Sequence, residues 1–313
     1  MAKTQLMISA GLALVLAACG SETTEAPTGT AETVVEETAE VAEETVAEEV
    51  VEQRTLASVL ENQSEEVKAR YPFRNPQATL EFFEVEPGET VVDTLPGEVW
   101  YAGILSEYLG SEGKVIGADY SVDMWRLFKG FVDEEYLTRK ATWTETWVAD
   151  MEENSEDGDA PFGAVVYGSV DEAHTGVADT VLMVRAVHHF NRLEDEGQYF
   201  SGALSDAMTM LKPGGILGIV QHRGPEGNDD AWAEGDNGYV KQSTVVSMAE
   251  AAGFELVEAS EINANPKDQP TNEDVVWRLP PSLATSREDA ELKAQMEAIG
   301  ESDRMTLKFR KPA

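Results

Sequence analysis

Beyond residue 53 the apolar positions switch repeatedly between two periods, short β-branched or aliphatic runs and longer stretches with helical spacing. Thr90, Val91 and Val92 follow the turn pair Pro87-Gly88 and predict a buried parallel strand that ends at Asp93. Pro96-Gly97 breaks the chain, and Trp100, Ile104, Leu105, Tyr108 and Leu109 then recur at helical spacing until Gly110 and Gly113. Val115, Ile116 and Ala118 predict a second strand with Asp119 at its end. Residues 89–121 thus form a βαβ unit of the kind that receives nucleoside cofactors at the carboxyl ends of its strands. Downstream, strands are expected at 164–167, 179–184, 216–221, 254–258 and 305–309. Helices are expected from Ser121 onward, at 199–211 before Lys212-Pro213-Gly214-Gly215, at 240–252 before Gly253, and at 287–299. Upstream, a helical pattern from Leu56 ends at Pro72, and Pro76 opens a second short helix to Phe83. Residues 138–156 are open to helix or to strand plus loop. The alternation predicts an α/β, doubly wound, mostly parallel seven-stranded sheet.

The first 53 residues have a different character. Residues 1–19 read as a bacterial signal peptide: Lys3 supplies a basic start, and an apolar stretch from Leu6 to Leu16 is too short to span a bilayer. It ends in Leu16-Ala17-Ala18-Cys19, which resembles the lipobox of bacterial lipoproteins. The resemblance implies cleavage before Cys19 and lipidation of its thiol, a stable anchor because more than one acyl chain is attached. Gly20 after the cysteine points to the periplasmic face of the outer membrane. Residues 20–53 contain eleven glutamates, no lysine or arginine and no aromatic residue, which predicts a disordered acidic tether. The domain is expected to occupy residues 54–313.

Charge narrows the partners. The formal net charge is −36, and the part beyond the tether is strongly acidic as well. Such a surface repels phosphate backbones and argues against nucleic acid. Cys19 is the one cysteine, so no internal disulfide forms. No G-x-S-x-G elbow, P-loop or HExxH is present.

The order of elements resembles the class I S-adenosylmethionine-dependent methyltransferases over about residues 54–311. The likeness is carried by the opening unit with Asp93, Gly97 and Asp119, by Leu211-Lys212-Pro213-Gly214-Gly215, and by Ala251-Ala252-Gly253-Phe254 followed by Met305-Thr306-Leu307-Lys308-Phe309. Tyr71-Pro72-Phe73-Arg74-Asn75-Pro76 and the terminal Lys308-Phe309-Arg310-Lys311-Pro312 resemble, more narrowly, a group of secreted bacterial methyltransferase-like proteins of unassigned substrate. The resemblance implies an antiparallel last strand and S-adenosylmethionine as cofactor. It puts Asp119 on the ribose, Gly97 in the turn at the methionine tail, Asp93 at that turn or on the cofactor amino group, and Asp171 near the adenine. His188 and His189 follow the fourth strand, where this family meets its acceptor, and a histidine there can act as general base.

The turn itself departs from the family's glycine-rich form. Glu98 brings a carboxylate toward the cofactor carboxylate, and Val99 resists positive φ. Two functions therefore compete: methyl transfer to a small or envelope-associated acceptor, and a binding or scaffold role that keeps the fold without the chemistry. An NAD-linked oxidoreductase shares the opening unit but lacks the full G-x-G-x-x-G. Adjacent histidines without a second thiolate do not make a metal site.

Overall fold

A computed structural model describes residues 54–313 except Glu98 and Lys129. The expected signal peptide with Cys19, the expected tether of residues 20–53, and Glu98 lie outside the described residues. Eight strands follow in chain order: β1 Thr90–Thr94, β2 Lys114–Asp119, β3 Phe162–Val166, β4 Ala178–Val184, β5 Leu211–Gly224, β6 Val240–Lys241, β7 Glu255–Ser260 and β8 Arg304–Arg310. They form one sheet in the order β3-β2-β1-β4-β5-β8-β7, with β6 pairing beside β5. β8 runs antiparallel to both β5 and β7, while β1 to β5 are mutually parallel. This is the doubly wound sheet expected from the alternation, with the antiparallel last strand and the strand order of the class I methyltransferase fold.

Period-two patterning explains why both faces are covered. Val92 on β1, Ile116 on β2, Val181 and Met183 on β4, and Leu217 and Ile219 on β5 enter one core. Their alternates Val91, Val115, Leu182 and Ile216 enter the other. The helix Trp100–Leu109 packs Ile104 and Leu105 into the second core, and Tyr199–Met210 packs Phe200, Leu204 and Ala207 into the first. Gly117 has a packing reason: a Cβ there would lie 2.8 Å from the Trp147 ring. The edge strand β7 is exposed along most of its length and carries Glu255 and Glu258, charges that discourage pairing with another chain.

Several expectations change. The segment left open at 138–156 is helical, as Glu134–Ala141 and Trp143–Glu153, the first capped by Asp133 accepting from the Tyr136 N–H. Pro72 does not end a helix. It sits in the first turn of Tyr71–Arg74, and the break falls earlier, at Gln63 and Ser64, where Ser64 caps Glu65–Lys68. Lys212 to Gly215 is not a turn ahead of the fifth strand. Leu211 already pairs with Ala178, and Gly214 at φ 80° takes up an irregularity inside β5. The helix expected from 240 starts at Gln242, because Val240 and Lys241 pair with Arg223 and Gly224.

Candidate functional site

A cleft of about 860 Å³ opens at the carboxyl ends of β1, β4 and β5, walled on its far side by the segments that precede β1. From β1 come Asp93, Thr94 and the turn residues Leu95, Pro96, Gly97 and Val99; from β4 come Val184 and Arg185; then His188, His189 and His222. Four of the expected site residues, Asp93, Gly97, His188 and His189, therefore meet in one place.

Asp93 is buried at the end of β1 and accepts a hydrogen bond from the Ala102 backbone N–H, in the first turn of the helix Trp100–Leu109. It satisfies one of the free donors of that helix start. Burial pushes its carboxyl up to about 7, and the Ala102 N–H and the Arg185 charge only partly oppose this. Gly97 has φ 52° and Val99 φ 57°. Val99 thus adopts the left-handed geometry that its β-branched side chain is expected to resist. Leu95 and Arg185 are the other non-glycine left-handed residues in the cleft wall, at φ 53° and 57°. Each follows a central strand and donates its N–H to the next strand over, Leu95 to Ala118 O and Arg185 to Val220 O, both at 2.7 Å.

The histidines form a group of mutually tilted rings. The ring centroids of His188 and His189 are 4.0 Å apart, and those of His188 and His222 are 5.5 Å apart. His188 Nδ1 lies 3.3 Å from Gln221 Oε1, His222 Nδ1 lies 2.5 Å from Ser302 Oγ, and His189 Nδ1 lies 3.0 Å from Tyr120 Oη. Burial pushes His188 down to about 3 against the opposing hydrogen bond of Gln221, with smaller help from the Arg192 and Arg185 charges. His189 and His222 are likewise held well below the ordinary imidazole range by burial and by neighbouring cations. At neutral pH all three are uncharged, and His188 is too weak a base to work well near pH 7. Among the described residues no cluster of His, Cys, Asp and Glu is arranged to hold a metal.

Asp119 lies outside the cleft wall and is 1% exposed. Its carboxylate accepts from Lys140 Nζ at 2.6 Å, from Trp125 Nε1 at 3.1 Å and from the Tyr120 N–H at 2.7 Å. Burial raises its pKa and Lys140 pulls it back down. The ends of β2 and β3 are closed by packed rings. Tyr120 lies against Trp125, Phe128 and Phe190, and Tyr167 lies against Phe190 and hydrogen-bonds Thr94 at 2.6 Å. His189 is the partition, bonded to Tyr120 behind it and facing the cleft in front. Asp171 is exposed in the loop after β3, paired with His174 at 2.6 Å and not brought to the cleft. The residues that the resemblance assigns to a nucleoside do not fit one as arranged: the ribose carboxylate already has three donors, and aromatic side chains occupy the space beside it.

Sequence reasoning did not find Lys140 or Trp125 at Asp119, nor Arg70, Arg74 and Trp277 in the cleft wall. Lys140 was detectable in principle. Asp133-Glu134-Glu135 is a helix-start signal, and it sets Tyr136 and Lys140 four apart on one face.

No protein-family profile matches the chain, and no curated protein matches it. Among solved structures, the 4+2 cyclase SpnF is similar at 16% identity with a TM-score of 0.45, covering 77% of this chain and 80% of that one. An arsenic(III) S-adenosylmethionine methyltransferase from Chlamydomonas reinhardtii is similar at 15% identity with a TM-score of 0.43, covering 82% and 73%. A S-adenosylmethionine-dependent methyltransferase from Aquifex aeolicus is similar at 17% identity with a TM-score of 0.40, covering 67% and 94%. The assignment of the methyltransferase-like fold rests on the strand order β3-β2-β1-β4-β5-β8-β7 and the antiparallel β8.

Proposed function

We propose that residues 54–313 are a ligand-binding domain on the methyltransferase-like fold, which holds a small molecule in the cleft at the ends of β1, β4 and β5 and does not use S-adenosylmethionine. The observation that carries this is the saturation of Asp119 by Lys140, Trp125 and the Tyr120 N–H. A ribose would have to displace a charge-assisted hydrogen bond and a buried indole donor to reach that carboxylate. The low histidine pKa values point the same way, since they leave neither His188 nor His189 poised as a base near neutrality.

Methyl transfer is the second reading, favoured by the convergence of Asp93, Gly97, His188 and His189 on one cleft and by the left-handed Val99. It requires Lys140 and Trp125 to leave Asp119. Calorimetry of the purified protein separates the two. No saturable heat is expected with millimolar S-adenosylmethionine or S-adenosylhomocysteine. Saturable binding that Asp119→Ala abolishes would establish the methyltransferase reading instead.

The same proposal places the domain in the bacterial cell envelope, lipid-anchored through Cys19 on the periplasmic face of the outer membrane, with an envelope or small-molecule partner and not nucleic acid. Support comes from the lipobox-like Leu16-Ala17-Ala18-Cys19 and the acidic composition. Cys19→Ser is expected to move the protein from the membrane to the soluble fraction; an unchanged membrane fraction would reject the anchor.

A further inference from the structure

Four arginines gather around the cleft in a chain whose formal net charge is −36. Arg70 and Arg74 stand in its outer wall and Arg185 at the end of β4. Arg304 lines an annex of about 130 Å³ that shares Arg185, His222 and Trp277 with the main cleft. Glu301 is the carboxylate they share: Arg70 and Arg304 both pair with it. Asp93 offsets little, because burial leaves it only partly ionised near neutrality, and Glu66 is exposed at the rim. The cationic groups outnumber the acidic ones in a place shielded from water.

Two of the four have a structural use that accounts for them. Arg304 donates to Phe73 O at 2.9 Å as well as to Glu301, and Arg70 is tied to Glu301. Arg74 and Arg185 are different. Arg74 lies over the Trp100 ring, 4.6 Å from its centroid, and among the described residues makes no ion pair; its buried Nε without a hydrogen-bond partner is a feature shared by all four arginines. Among the described residues the Arg185 side chain makes no ion pair, its Nε is buried and unpartnered, and its backbone is held at φ 57°. Burial first, and then the Arg74 and Arg304 charges, lower its pKa to about 9 against the opposing charge of Glu301. An unpaired guanidinium, a left-handed backbone and like charges close by are three separate costs at one residue. A bound anion would offset the first and the third.

We propose that the cleft binds a multiply charged oxyanion of the phosphate-monoester class, gripped by Arg185 and Arg74. The inference rests on the ligand-binding reading given above. The guanidinium fork matches phosphate oxygens bidentately, and a dianion suits a cationic surplus better than a single carboxylate does. Arg74 and Arg185 both line the main cleft, whose volume of about 860 Å³ has room for a phosphate monoester. The acidic exterior slows the approach of anions, while the arginines hold one that arrives.

Trp100 and Trp277 line the cleft, so intrinsic fluorescence reports binding in the purified full-length protein. Inorganic phosphate, glycerol 3-phosphate and vesicles containing phosphatidic acid are the probes. A saturable change is expected with phosphate and the soluble ester, weakened at least tenfold in Arg185→Gln and again in Arg74→Gln, with Arg185→Lys retaining part of it. A response to vesicles alone, lost in the same variants, supports the same chemistry with a lipid headgroup as the source. No saturable response to any phosphate, or equal affinity in Arg185→Gln and the unaltered protein, overturns the proposal. Glycerol, as the neutral analogue, tests the charge itself: binding as tight as that of glycerol 3-phosphate would overturn the anion assignment and leave the ligand-binding reading standing. Asp119-dependent binding of S-adenosylmethionine would remove that reading and leave the phosphate result to be judged on Arg185. If Arg185→Gln does not fold, Arg74→Gln and competition by sulfate in the unaltered protein decide the question.

Discussion

Moving the protein from pH 7 to pH 5 is expected to remove about 2 kcal/mol of stability through His188, with two further buried imidazoles acting in the same direction. His188 is held at about 3, and His189 and His222 are held well below the ordinary value, while an unfolded chain binds the proton near 6.5. Below pH 6.5 the unfolded state therefore takes up protons that the folded state refuses. The stabilisation is complete above 6.5 and is lost as pH falls toward about 3. At pH 5 the His188 imidazole that stays neutral costs about 2 kcal/mol, and His189 and His222 act in the same direction. Even that one contribution is a sizeable share of the stability of an ordinary domain, about 5 to 15 kcal/mol. Acid has an opposing effect in this chain, since protonating carboxylates relieves the repulsion of a net charge of −36. The histidine contribution is isolated by difference. Urea unfolding at pH 7 and pH 5 is expected to show a loss about 2 kcal/mol smaller in His188→Gln than in the unaltered protein. Equal losses in the two proteins would refute the account of the buried imidazoles.

The proton cannot enter cheaply for a geometric reason. His188 and His222 sit 5.5 Å apart behind Arg185 and Arg304, so an imidazolium there meets like charges as well as poor solvation. The same arrangement makes the site cationic without the histidines. An anion in the cleft would favour their protonation, and bound phosphate should therefore soften the loss of stability in acid.

The sheet was legible because its strands are β-branched runs that need no distant partner to be recognised; Val91-Val92 and Asp179 to Val184 are examples. The antiparallel β8 followed from a resemblance in order, not from its own residues. The ends of β2 and β3 were not legible. Asp119 looks identical in sequence whether it faces a ribose or a lysine, and the lysine comes from the helix Glu134–Ala141, whose second half lies in the stretch 138–156 that the sequence left open. Tyr120 closes the space beside it with Phe128 and Phe190, partners that come from two separate segments. The arginine cluster was hidden for the same reason: Arg70, Arg74, Arg185 and Arg304 come together only when β8 lies beside β5 and the segments before β1 fold across the cleft. The turn at Val99 was legible in its chemistry but not in its outcome. A residue that resists positive φ adopts it, held between the N–H of Val99 on Pro96 O and the helix that starts at Trp100.

Lys140→Met is expected to cost about 3 to 5 kcal/mol near pH 8, because it leaves the Asp119 carboxylate buried without its cation. Trp125 Nε1 and the Tyr120 N–H remain, but neither carries charge. The contact of Lys140 Nζ with the Trp125 ring, at 4.5 Å from the centroid, is lost as well. The dependence on pH has a definite sign. Burial already holds the folded carboxyl above its unfolded value of 3.8, and removing Lys140 raises it further. The folded variant therefore holds a proton over a range in which the unfolded chain has lost it, and its stability falls as pH rises through that range. The penalty should shrink between pH 8 and pH 5. Asp119→Asn in the Lys140→Met background removes the stranded charge and should recover about half of the loss, whereas Lys140→Arg should preserve most of the stability. These measurements separate the two uses of Asp119 without any ligand. A carboxylate kept for a ribose would tolerate the loss of Lys140 with a change below about 0.5 kcal/mol, as surface ion pairs do. A carboxylate that holds the end of β2 to the helix Glu134–Ala141 would not, and in that case Asp119→Ala is a stability variant before it is a binding variant.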